Sequence, residues 1–254
     1  MTDVDAPAGA GVASFGSFRL RAVDGGPLEG ACLFRSASLA RISEDEAAYL
    51  VGDLGVRSIY DLRNRWEVAS NPEPRIVGAK TLAFEPSTDR GRSDASRRLV
   101  AGVIGEYGRP EERMIRNYRR YAREFPLMGT VLRTMAAERR AALVHCEHGK
   151  DRTGVLCAVL QRIAGFSEDD AMATYLATNE VNVEATAREM SQLEQGMSDE
   201  ERAVLRSFLE ARPAYLRAFF DEVDGQAGGF AAYVRDALRL TPAQTASLCA
   251  LLAR

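Results

Sequence analysis

The stretch His145-Cys146-Glu147-His148-Gly149-Lys150-Asp151-Arg152-Thr153-Gly154 constrains this chain more than any other, because it joins an apolar run to a helical pattern. Ala141-Ala142-Leu143-Val144 has the length and character of a buried strand, while Val155, Val159 and Ile163 recur at helical spacing beside Leu156 and Leu160. The ten residues therefore read as a strand-to-helix loop. There the backbone N–H groups of Glu147 to Arg152 can converge on one point, and the following helix turns its positive end toward it, making an anion site that requires no metal. The spacing Cys146-x5-Arg152 places a thiol at the floor of such a loop and a guanidinium fork over its rim. Only a thiolate attacks, and a free thiol is roughly 3 % ionised at pH 7, so full ionisation is worth about 2 kcal/mol. A helix terminus contributes ~0.3–1 kcal/mol of this. The loop amides, Arg152 and the Thr153 hydroxyl are the candidates for the rest.

His-Cys-Glu-His-Gly-Lys-Asp-Arg-Thr-Gly resembles the signature of the protein-tyrosine-phosphatase superfamily, and its Gly-Lys-Asp-Arg core is similar to that of the atypical bacterial branch. The resemblance extends upstream to Phe34-Arg35-Ser36 and to Asp61-Leu62-Arg63 with Glu67, and downstream to Tyr175-Leu176 with Thr178-Asn179, spanning roughly residues 17 to 250. One departure is visible: the family's opening Asn-Phe-Arg-Asp stands here as Ser17-Phe18-Arg19-Leu20. The resemblance implies a cysteine-phosphatase fold and two-step hydrolysis of a phosphate monoester through a phosphocysteine. Cys146 would be the nucleophile, Arg152 the clamp on the phosphate, and Glu147, His148, Gly149, Lys150 and Thr153 the rest of the substrate-binding loop. No cofactor is expected. Family members of this type can cover the site with a helical lid, placed by resemblance at about 180 to 211, with a hairpin packed permanently into the core as the alternative.

At 254 residues and 46 % hydrophobic content the chain suits one domain over 15–254 with a large core. A formal charge of −3 gives no general pull toward nucleic acid, and no apolar run approaches the ~18 residues of a membrane span. Residues 1–14 carry Asp3 and Asp5 with neither a basic start nor a long apolar stretch, and read as a flexible tail and not a secretory signal. A cytoplasmic location is expected, with export by another route left open. Cys32, Cys146, Cys157 and Cys249 show no metal or disulfide-framework spacing. Cys157 could protect an oxidised Cys146 as a disulfide, but a small core residue is the plainer reading.

Periodicity predicts a mostly parallel α/β sheet of four or five strands wrapped by helices, with an enlarged helical C-terminal part. Extended segments around Arg19-Leu20-Arg21 and Cys32-Leu33-Phe34 flank Gly25-Gly26-Pro27 as an edge hairpin; Val56 to Leu62 and Lys80 to Phe84 are further strands. Glu85 to Arg98 reads as a polar loop. The helix over Glu111 to Arg123 carries five arginines, either a solvated basic face or a rim attracting acidic phosphosubstrates. Beyond Gly165 the pattern is helical throughout, with capping boxes at Ser198/Glu201 and Thr241/Gln244.

Asp151 is the preferred proton donor, since no aspartate occurs between Asp94 and Asp151 and the Gly-x-Asp-Arg arrangement also resembles that of myotubularin lipid phosphatases, whose loop aspartate is implicated as the acid. Asp61 and Asp89 are its rivals, and a salt bridge involving Glu67 is an equal reading of Asp61 and Arg63. His148 and Lys150 are expected to project toward substrate, Lys150 to meet additional phosphate or anionic lipid headgroups. His145, Cys146, Glu147 and His148 crowd together as metal ligands do, yet neighbours on one tight loop cannot all turn inward on one ion; His145 is expected to brace the loop. Two function classes remain: a phosphatase acting on phosphotyrosine proteins, with phosphoserine, phosphothreonine or phosphoinositides as further substrates, and a phosphate-binding module without turnover. Oligomeric state is not legible.

Overall fold

The structure, a computed structural model, describes residues 14–84 and 97–253. Five strands form one sheet: β1 (Arg21–Ala22), β2 (Leu33–Ser36), β3 (Ser58–Asp61), β4 (Lys80–Ala83) and β5 (Ala142–His145), in the order β1-β2-β5-β3-β4. β1 pairs antiparallel with β2 at one edge, as the glycine break predicts, and the other three pairings are parallel. Crossover connections require helices on both faces, so the inner strands alternate between two cores. Phe34, Ile59 and Leu143 meet Leu50 of helix α1 (Glu44–Gly52) on one side. Leu33, Tyr60, Ala142 and Val144 enter the larger core on the other.

That larger core is built by α4 (Glu112–Glu124), α5 (Pro126–Glu138), α6 (Asp151–Ile163), α7 (Glu168–Leu176), α11 (Pro213–Asp224) and α13 (Pro242–Leu252). Tyr215, Leu216, Phe219 and Leu248 are fully buried with the sheet residues, so the helical C-terminal part completes the core and is not appended to it. The remaining helices are α2 (Arg65–Ser70), α3 (Arg97–Tyr107), α8 (Thr178–Val181), α9 (Val183–Leu193), α10 (Asp199–Leu209) and α12 (Gly229–Ala232), the last running into a π-helical turn at Tyr233–Ala237. Capping boxes close at Ser43/Glu46, Ser167/Asp170, Ser198/Glu201 and Thr241/Gln244, each satisfying otherwise orphaned N–H groups.

Two helices escaped the sequence reading. α2 is only six residues long, too short for a periodic signal, and α3 begins where Arg98 was expected to lie in a loop. Val100 and Val103 of α3 form a small separate core with Met190 of α9 and Val204 and Leu205 of α10. The expected tail at 1–14 lies almost wholly, and the polar loop with Asp89 and Asp94 mostly, outside the described residues.

Candidate active site

Parallel register brings Ser36, His145 and Asp61 level at the carboxyl ends of β2, β5 and β3. Ligands collect at such an edge in open α/β sheets. The loop from Cys146 to Lys150 leaves β5 there and enters α6. Gly149 is obligatory: its φ is +65° and a Cβ would stand 2.3 Å from the Ser36 carbonyl oxygen. Behind it Arg35, 2 % exposed, donates from Nη2 to the Gly149 carbonyl at 2.8 Å. Cys146 is 2 % exposed at the loop's base. Among the described residues none of the backbone N–H groups of Glu147 to Thr153 donates to a protein acceptor; the first bond of the turn runs from Gly154 N to Lys150 O. Seven donors without a protein acceptor thus follow the cysteine into the start of a 13-residue helix.

Arg152 is almost fully buried and gripped end-on by Glu67, Nη1 to Oε2 and Nη2 to Oε1 at 2.6 Å each, with Nη1 also donating to the Leu62 carbonyl at 2.9 Å. Three of its five N–H groups are thereby used. The remaining two, on Nε and Nη2, form the side fork that matches two oxygens of a phosphate. Burial works against the guanidinium charge, but the Glu67 bonds and the proximity of Cys146 hold its pKa above the ordinary arginine value. Glu67 is itself set by its position as third residue of α2, where Oε2 accepts from Asn64 N at 2.7 Å. The salt bridge expected around Glu67 therefore runs to Arg152, while Asp61 pairs with Arg63 at 3.0 Å.

Asp151 opens α6 with its side chain 21 % exposed. Its Oδ1 accepts from the Tyr118 hydroxyl at 2.7 Å, which lies 2.8 Å from the hydroxyl of Tyr175. Both tyrosines are buried, and burial first, then the Asp151 charge, push their pKa values far up, so they stay neutral and orient the carboxylate. Tyr118 was visible only as an apolar interleaf of the basic helix, because nothing in a helical period says where a phenol oxygen ends.

Asp61, the rival acid, is enclosed. Burial would raise its pKa, but His145 and the Arg63 bonds lower it below the usual carboxylate range, a poor setting for proton donation. Asp89 lies outside the described residues. Asp61, Glu73 and His145 each present a ligand atom within 4.8 Å of the others. Arg63 bridges the two carboxylates at 3.0 and 3.2 Å, so a guanidinium already supplies the positive charge a cation would bring. His145 faces this network, with Nε2 3.5 Å from Glu73 and Nδ1 3.4 Å from the Cys146 carbonyl oxygen. His148 turns instead toward Glu189 at 3.8 Å. The two histidines do not converge with Cys146 and Glu147.

Two further loop side chains depart from their expected roles, while a third keeps its own. The Glu147 carboxylate faces away from an incoming anion, accepting from Asn71 Nδ2 at 2.9 Å with Arg63 at 3.7 Å. Lys150 does not project outward: it is 1 % exposed, and its ammonium donates to the carbonyls of Phe208 at 2.5 Å and Glu210 at 3.2 Å, with Asp151 at 3.4 Å. The carbonyls left open at the end of α10 outcompete solvent for it. Thr153 is buried with its Oγ1 unpartnered among the described residues, an uncompensated hydroxyl in the first turn above Cys146. On the basic helix, Arg113 stacks on Phe208, Arg116 on Tyr107, and Arg123 binds Glu222 at 2.7 Å, which removes much of its arginine charge from any rim.

The chain belongs to the tyrosine phosphatase family, whose model spans residues 15–254. It is 28% identical over 235 residues to the triple specificity protein phosphatase PtpB of Mycobacterium tuberculosis, covering 81% of this chain and 85% of that protein. A Cupriavidus necator protein named for tyrosine-protein phosphatase activity is also 28% identical, over 229 residues, 84% of this chain and 76% of that protein. Among solved structures, P. aeruginosa TpbA aligns with 69% of this chain and 85% of its own at 18% identity and a TM-score of 0.34. The core catalytic domain of the PP-IP phosphatase SIW14 from S. cerevisiae aligns with 71% and 91% at 15% identity and a TM-score of 0.29.

Proposed function

We propose that residues 15–254 form one phosphatase domain that hydrolyses phosphate monoesters through a phosphocysteine. The observation that carries the reading is the free side fork of Arg152 beside seven unpartnered loop amides and Cys146. Cys146 Sγ attacks phosphorus as the bond to the leaving alcohol breaks; Asp151 gives that alcohol its proton; water then displaces the thiolate, with Asp151 taking the proton back. Arg152 and the amides hold the equatorial oxygens in both steps. The Thr153 hydroxyl is the donor assigned to the Cys146 thiolate. Tyr118 fixes the Asp151 carboxylate, and Glu67 fixes the fork.

Phosphotyrosine proteins are the proposed substrates, with phosphoserine, phosphothreonine and phosphoinositides as further ones, a breadth in keeping with the triple specificity in the mycobacterial relative's name. Residues 180 to 211 are proposed as the lid. Its base is fastened by the paired bonds between Asn179 and Ala211 at 2.7 and 2.8 Å and by Asn182 Nδ2 to the His148 carbonyl at 3.3 Å. Among the described residues no helix is long and apolar enough to cross a membrane, and the proposed place of action is the cytoplasm.

Replacing Cys146 by serine tests the reading. Turnover of an aryl phosphate should be abolished while phosphate-competitive binding persists, because the anion site survives and the hydroxyl is a weak nucleophile. Multiple turnover in this variant, or a requirement for added divalent metal in the wild type, sinks the mechanism; binding without turnover in the wild type marks a phosphate-binding module instead.

A further inference from the structure

On the side of the sheet facing α6 and α7, the β1–β2 hairpin places two arginines directly opposite each other. Arg21 and Arg35 are cross-strand partners, and Arg35 shares the face of Leu33, which enters the larger core. Directly opposed side chains stand about 4.5–5.5 Å apart at Cβ, a spacing at which like charges repel. Both residues are buried, at 5 % and 2 % exposure. Among the described residues neither has a carboxylate within ion-pair distance: Arg21 donates only to Thr178 Oγ1 at 3.0 Å and the Thr174 carbonyl at 3.4 Å, and Arg35 only to Gly149 O. Arg35 Nε has no partner at all. Burying one uncompensated charge is costly, and burying two against each other is costlier. Burial and the neighbouring Arg35 push the Arg21 pKa down to about 9.

Arg21 and Arg35 line a half-open cavity of about 190 Å³ together with Gly25, Gly26, Ala173, Thr174 and Ala177. The glycine turn packs closely on α7 at the cavity's edge, since a Cβ on Gly25 would sit 2.7 Å from Thr174 Cγ2. Its volume is below the roughly 300 Å³ at which pockets begin to take organic ligands, yet it holds several waters' worth of space. We propose that this cavity is a second anion site, behind the catalytic loop, which takes one small tetrahedral dianion of the size of inorganic phosphate between Arg21 and Arg35. Glu180 acts on Arg21 only from beyond ion-pair distance, and such an anion supplies a close countercharge and acceptors for the unused N–H groups. It also bears on catalysis indirectly, since Arg35 holds the Gly149 carbonyl of the loop.

Crystals of the full chain soaked in selenate, a phosphate-sized anomalous scatterer, should show two peaks, one over Cys146 and one between Arg21 and Arg35. Calorimetric titration with inorganic phosphate at constant ionic strength should give two anions per chain, falling to one in Arg21→Met with turnover of an aryl phosphate retained. In chloride, Arg21→Met should melt no lower than wild type, because it removes an unpaired buried charge; in phosphate it should melt lower. A single selenate peak at the catalytic loop, or two phosphates per chain in the variant, overturns the proposal. So does an equal loss of melting temperature in chloride and phosphate, the mark of a purely structural Arg21. Should the variant not fold, the wild-type soak alone decides.

Discussion

Asp151 shows how much of a site depends on single atoms. Its place beside Arg152 follows from sequence adjacency, but the orientation of its carboxylate depends on the Tyr118 hydroxyl that holds Oδ1. General acids typically contribute 10²–10⁴-fold, and only where the departing alkoxide is poor. Asp151→Asn should therefore slow an alkyl phosphate or phosphotyrosine by about that factor and a very acidic phenol far less. The check is log rate against leaving-group pKa, which should steepen in the variant; parallel lines for variant and wild type would remove Asp151 from the role. Asp61 should behave as structure. Because its folded pKa is depressed, its contribution to stability is complete above the unfolded value of about 3.9 and is lost as pH falls through the lower folded one. Asp61→Asn should be less stable than wild type at neutral pH, and the gap should narrow below about pH 4. A gap that stays constant in urea melts down to pH 3 would contradict this.

Among the elements, α10 bears most directly on the loop. The carbonyls at its carboxyl end hold the Lys150 ammonium, so a residue that sequence reading turns toward substrate instead ties the loop after β5 to the end of α10. Lys150→Ala should then lower hydrolysis of a phosphoinositide and of a small aryl phosphate by similar factors. A selective loss on the phosphoinositide would return the lysine to direct headgroup recognition. The strands, the edge hairpin and the capped helices were legible because apolar periodicity and capping chemistry act over a few residues. α2 was not, although its third residue clamps Arg152: six residues carry less than two full helical turns of pattern.

At the level of the whole molecule, burial is divided. The sheet and the C-terminal helices share one large core, whereas α3, α9 and α10 enclose a small one of their own. A small core closes on fewer apolar contacts, so its opening free energy should be below that of global unfolding. Amide exchange in α9 and α10 should be faster than in β5, with protection rising when vanadate occupies the loop. Uniform protection across α10 and β5 would mean that the hairpin is permanent core and not a lid.

The phosphatase family and the fold class were determined by the sequence itself. A thiol, five intervening residues and an arginine between a strand and a helix are local facts, and local geometry carries them into the structure. What only tertiary structure decided is partnership: Glu67 with Arg152, Tyr118 with Asp151, Lys150 with the end of α10, and Arg21 opposite Arg35. These pairs lie on separate elements or across the sheet. A buried charge or hydroxyl takes whichever complementary group the packing brings within about 3 Å, and sequence periodicity reports which face of an element is buried without reporting what it will meet there.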